Sequence, residues 1–155
     1  MPMSAEGERA IAQNRRARHE YQLEDHVEAG IVLTGSEIKS LRAGAVSIKE
    51  AYAMIRGGEI WLVGATIEPY AQAGLRNHDR LRDRKLLLHR REIERLSQRV
   101  EQKGFTLVPL RLYWKNGRAK IELALGRGKD TIDKRESVKE REAKRDMDRA
   151  IKERR

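Results

Sequence analysis

Phe105 to Leu125 reads FTLVPLRLYWKNGRAKIELAL. Two apolar runs flank Asn116-Gly117, a dipeptide that favours the left-handed conformations of a type I′ turn, so the segment predicts a β-hairpin. A second hairpin is written in AYAMIRGGEIWLVGATI, with Gly57-Gly58 at its turn and Pro69 closing its second strand. Upstream, HEYQLEDHVEAGIVL sets Tyr21, Leu23 and Val27 among charged residues before Ile31, Val32 and Leu33, which predicts a long strand bent at Ala29 and Gly30. Thr34 with Glu37 three residues on predicts a capped helix of two turns ending near Gly44. HRREIERLSQRVEQKG aligns Ile93, Leu96 and Val100 on one side of a helix that stops at Gly104. Residues 70–83 show no period and read as a long loop. Five or more strands with two helices predict a mainly β domain, a small closed or nearly closed barrel that leaves few open edges. An open α+β sheet is the alternative.

The chain has 155 residues, about one domain, with 34 Lys and Arg against 24 Asp and Glu, a net charge of +10. That excess points to a polyanionic partner, nucleic acid or an anionic membrane surface. The sequence shows no apolar run of membrane-spanning length and no signal-peptide pattern. With no Cys there are no disulfides and no thiolate metal sites. The expected setting is the cytoplasm, without a membrane partner.

Residues 1–12 read as a flexible N-terminal arm, 13–126 as the barrel domain, and 127–155 as a charged tail with twelve basic and eight acidic residues. The tail carries two capping-box patterns, Asp133 to Glu136 and Ser137 to Glu140, and favourable pairs at Glu140–Lys144 and Asp148–Lys152. Its only apolar stripe is Ala143, Met147, Ala150 and Ile151. Burying so little cannot offset backbone entropy of about 1–2 kcal/mol per residue, so the tail is expected to be disordered alone and to fold against RNA.

Catalytic spacing is missing. His19, His26, His78 and His89 form no i,i+4 pair, so neither a metal nor another cofactor is expected, and Asn77-His78-Asp79 reads as loop surface. GRGK at 126–129 is too short for a nucleotide-cradling loop. Basic clusters are the stronger signal. Asn14, Arg15 and Arg18 lie in NRRAR, Arg84 and Lys85 in RLRDRK, and Lys115 and Lys120 in KNGRAK. Together these clusters suit an RNA backbone. Tyr21, Tyr113 and Trp114 lie nearby and are candidates for stacking on bases. Of Tyr113 and Trp114, adjacent on one strand, one must face the core.

NRRARHEY, EAGIVLTGSEIKSLRAG, RKLLLHRREI, LVPLRLYWKNGRAKIELALGRGK and DKRESVKERE closely resemble the SmpB family of SsrA-binding proteins, from about Gln13 to the last residue. The resemblance implies an oligonucleotide-binding-type barrel flanked by short helices. It implies a non-enzymatic adaptor that binds the tRNA-like part of transfer-messenger RNA (SsrA) and delivers it to ribosomes stalled without a stop codon, in trans-translation. The family's RNA-contacting positions fall on Asn14, Tyr21, Glu28, Leu87 and Lys120. Its tail enters the empty mRNA channel near the decoding centre and becomes helical there, against small-subunit ribosomal RNA. The functional tail motif falls on Asp133, Lys134 and Arg135, and the ribosome-contacting set on Lys129, Lys139, Arg141, Lys144, Arg145, Met147 and Ile151 as well. Ile132 stands where relatives often carry an aromatic residue or His. The competing classes are a ribosomal or RNA-chaperone protein and an RNA-processing enzyme.

Overall fold

The computed structural model of the chain describes residues 8–128. In order they form β1 (Glu8–Gln13), α1 (Arg16–Glu20), β2 (Tyr21–Ile31), α2 (Gly35–Arg42), β3 (Val46–Ser47), β4 (Tyr52–Arg56) and β5 (Glu59–Val63). There follow β6 (Thr66–Ile67), a 3-10 segment at Ala71–Arg76, β7 (Arg84–Leu87), α3 (Arg90–Lys103), β8 (Thr106–Lys115) and β9 (Arg118–Gly128).

The β8–β9 hairpin forms as the sequence predicts, with Asn116 at φ 51° and Gly117 at φ 78°. The second hairpin, β4–β5, turns through Gly57 and Gly58, both also at positive φ. Antiparallel pairing runs β8-β4-β5-β7-β2-β9 and returns to β8, so six strands close a ring. The seam is β4–β8, bridged at Ala53 and Leu107. Alternation along the strands sends Ile60, Leu62, Leu86, Ile121, Leu123 and Leu125 inward, each at most 1% exposed. The amphipathic helix α3 adds Leu96 to this core, with Ile93 and Val100 packed against it. A smaller cluster of Ala17, Val108, Leu110 and Ala124 lies beneath α1.

Thr34 and Glu37 form the expected capping box at the start of α2. Three other expectations shift. Residues 8–12, expected within an arm, belong to β1, which pairs with the half of β8 that β4 leaves open. Their weak alternation hides a strand whose reason to form is a free backbone edge, not an apolar face. The long strand begins only at Tyr21, because Arg16–Glu20 is helical. It bends at a bulge between Glu24 and Val27, where Asp25 takes φ 54°, and not at Ala29 and Gly30. Loop 70–83 contains the 3-10 segment and is tied down by Asn77, whose Oδ1 accepts from Tyr70 N and whose Nδ2 donates to Tyr70 O. Pro109 sits inside β8 because the register shifts there, which removes the need for its missing N–H.

Candidate RNA-binding surface

Gly30 of β2 pairs with Leu87 of β7 on one side and Lys120 of β9 on the other, and Lys120 pairs in turn with Tyr113 of β8. Residues opposite one another in a sheet share a face, so this rung sets Leu87, Lys120 and Tyr113 on the outside of the barrel. A Cβ on Gly30 would lie 3.3 Å from the Leu87 Cβ, which shows how closely Leu87 lies over the bare backbone while staying 53% exposed. Glu28, two residues earlier on the same face, accepts a short hydrogen bond from the Tyr113 hydroxyl and another from Lys115 Nζ at 3.2 Å. The Tyr113 ring is buried beneath the Arg111 guanidinium, 4.0 Å from its centroid. Arg111 donates onward to Glu122 (2.7 Å) and Glu8 (3.2 Å), and Glu122 meets His26 Nδ1 at 2.9 Å.

Burial works to raise the Glu28 carboxyl, but the Tyr113 hydroxyl, Lys115 and Lys120 outweigh it and hold the group below its ordinary range. Burial and the Glu28 carboxylate together push the Tyr113 phenol well up. At neutral pH the face therefore presents a fixed carboxylate acceptor, an ammonium aligned on it, a second ammonium at Lys120 and an exposed leucine. An acceptor of this kind takes base amino or ribose hydroxyl donors, while the cations take phosphate.

Asn14, Arg15, Arg18 and Tyr21 gather elsewhere, around α1. Asn14 N donates to Leu110 O at 2.8 Å and Asn14 Nδ2 to Pro109 O at 3.1 Å. Tyr21 packs on Gly126, whose Cβ would come within 3.1 Å of the Tyr21 Cδ1. Seven residues of β2 separate Tyr21 from Glu28, roughly 20 Å of strand. The structure thus splits the expected RNA-contacting positions into two patches.

The cluster Arg80–Lys85 does not offer the phosphate surface expected of it. Arg84 is fully buried, its Nε donating to Glu37 Oε2 at 2.6 Å and its Nη1 to Ala65 O at 2.9 Å. As a core cation it cannot reach RNA. Arg82 meets Glu37, Arg80 meets Glu68 and Lys85 meets Glu59. The acids that neutralise these cations are 12 to 47 residues away in sequence, so no local pattern announces them. Tyr113 is likewise removed as a stacking residue. Of the two adjacent aromatics it is Trp114 that packs against the main core, and it is only half-buried. His78 is a link, bonded to Ser36 Oγ and Ile67 O at 2.8 Å each, and not loop surface. Among the described residues no cluster of His, Asp or Glu is arranged to hold a metal ion. The expected tail contacts Lys129, Asp133, Lys134, Arg135, Lys139, Arg141, Lys144, Arg145, Met147 and Ile151 lie outside the described residues.

A six-stranded antiparallel ring bearing lysine ammoniums, an ionised acceptor and an exposed apolar side chain on its outer face defines a small nucleic-acid-binding barrel. Residues 11–153 match the family described as SmpB protein, and the chain belongs to that family. It is similar to the SsrA-binding protein of Acetivibrio thermocellus, 54% identical over 151 residues that cover 97% of this chain and 98% of the relative. The SsrA-binding protein of Roseiflexus castenholzii is 57% identical over 148 residues, 95% of this chain and 94% of the relative. A chain in the solved structure called "tmRNA-SmpB: a journey to the center of the bacterial ribosome" superposes with a TM-score of 0.62 at 50% identity, covering 76% of this chain and 82% of that one.

Proposed function

We propose that this protein binds the tRNA-like part of transfer-messenger RNA and delivers it to stalled ribosomes, acting in the bacterial cytoplasm as an adaptor and not as an enzyme. The observation that carries the reading is the shared outer face of Glu28, Leu87 and Lys120, three positions to which the resemblance carries RNA contacts and that β2, β7 and β9 bring to adjacent rungs. Relatives named as SsrA-binding proteins along nearly the whole chain support the choice of RNA. The neighbouring tmRNA-SmpB structure supports the ribosome as the second partner. Residues 129–155, in this reading, occupy the mRNA channel.

Capture of the tagged protein from cells, followed by sequencing of the bound RNA, tests the assignment. One dominant transfer-messenger RNA is expected. Stoichiometric ribosomal RNA from actively translating ribosomes would indicate a ribosomal protein instead, and shortened RNA products a nuclease.

A further inference from the structure

The two patches of expected RNA residues are joined by a channel that neither the cluster pattern nor the family resemblance marks. A groove of about 340 Å³ opens beside Leu87 and Lys120, with Ile31, Leu33 and Ile38 among its apolar walls. It shares Arg42, Trp114 and Gly117 with a second groove of about 740 Å³. That one shares Ala10 and Ile11 with a third, of about 610 Å³, which follows β1 to Asn14, Arg15 and Lys49. The three make one trench around the end of the barrel and along β1. This strand pairs with β8 alone, so its other backbone edge faces the trench side without a strand partner among the described residues.

Several surface cations away from the trench are neutralised by acids of the protein. Arg56, Arg80, Arg95 and Arg99 are each held by a carboxylate of the protein. Arg9, Arg42, Lys49 and Arg118 line or rim the trench, and their side chains make no ion pair or hydrogen bond among the described residues. The one acid lining it, Glu8, has a side chain only 7% exposed and is bonded by Arg111. Trp114 forms part of the wall where the first two grooves meet.

We propose that one unpaired RNA strand lies in this trench, its phosphates along Arg118, Arg42, Arg9 and Lys49 and one base against Trp114. Resting on the proposed RNA partner, the inference adds a path and the residues that line it. Unpaired cations in series, an aromatic wall and a free backbone edge are what a single strand uses, since phosphates need a row of charge and every base has a face to stack. A continuous path also makes one binding surface of two patches roughly 20 Å apart.

Arg42→Ala combined with Lys49→Ala tests the path, against Arg76→Ala combined with Arg91→Ala. The control pair is also exposed and free of ion pairs among the described residues, removes the same charge and lies off the trench. With the tRNA-like part of transfer-messenger RNA as the probe, the trench variant should bind at least tenfold more weakly. Its plot of log K against log salt should be shallower by about 1.4, two single-strand phosphates' worth. The control should change affinity less than threefold. In a Trp61→Phe background, in which Trp114 is the remaining tryptophan, the same RNA should quench Trp114 emission. Equal losses in the trench and control variants, or unchanged Trp114 emission at saturation, would overturn the path while leaving the RNA partner in place. Failure of the unaltered protein to bind this RNA would instead remove the partner, and the path with it.

Discussion

Arg84 Nε and Glu37 Oε2 meet at 2.6 Å, with neither side chain reaching solvent. Glu37 lies in the first turn of α2, where it completes the Thr34 capping box, and Arg84 opens β7, so the pair fixes the helix to the barrel strand that carries Leu87. Arg84 also donates to Ala65 O, Asp79 O and Arg80 O, so a single guanidinium organises loop 77–83.

Removing one partner strands the other as a buried charge. Arg84→Ala should destabilise the fold by about 3–5 kcal/mol, read by urea unfolding. A loss below about 1 kcal/mol would show that the pair is not buried in solution.

The same pair makes stability depend on acid. Burial works to raise the Glu37 carboxyl, but Arg82, the Thr34 N–H and Arg84 draw it from 4.5 down to about 2. The unfolded chain then binds the extra proton first, so this stabilisation is complete above about pH 4.5 and is lost as pH falls toward 2. Its size is of order 3 kcal/mol. Glu37→Gln should flatten the stability profile in that window, and an unchanged slope would contradict the assignment.

Gly126 must stay small. A Cβ there would lie 2.7 Å from Val108 Cγ2 and 3.1 Å from Tyr21 Cδ1. Gly126→Ala should cost about 1–3 kcal/mol by overpacking and should displace Tyr21, visible as shifts in its ring resonances. A fully stable variant with unmoved Tyr21 signals would show that β9 has room here.

The hairpins, the capping box and the α3 stripe were legible because each is a local signal: Asn116-Gly117, Thr34 to Glu37, and Ile93, Leu96 and Val100. What was not legible depends on distant partners. Arg84 sits in a basic cluster by sequence and becomes a core cation only because Glu37 folds against it. β1 forms because β8 has a free edge, which no pattern in residues 8–13 reports. Arg42 and Lys49 stand apart from every basic cluster, and only barrel closure sets them along one trench. At the candidate site, Glu28, Leu87 and Lys120 came from the family resemblance. The structure supplies their common face through the register around Gly30.

Body and tail should separate in function. A chain ending at Gly128 keeps both patches and the trench, so it should bind free RNA within about 1 kcal/mol of the whole protein while failing to support tagging. Ala143→Pro, which changes no charge, should also leave RNA binding intact yet block tagging, because a proline inside a helix costs about 3 kcal/mol. Normal tagging by the proline variant would mean that the tail acts without becoming helical.

The most direct test is a salt titration of affinity for the tRNA-like part of transfer-messenger RNA, set beside an unrelated RNA of equal length. With about five phosphates neutralised, log K should fall against log salt with a slope of roughly −3.5 to −4.5, and Lys120→Ala should make it shallower by about one contact. Lys85→Ala, whose ammonium already meets Glu59 at 3.0 Å, should leave the slope nearly unchanged. Tighter binding to the tRNA-like RNA with this pattern is the predicted result. Equal affinity for both RNAs, or the same slope with and without the Lys120 ammonium, would contradict an RNA-recognition face built on Glu28, Leu87 and Lys120.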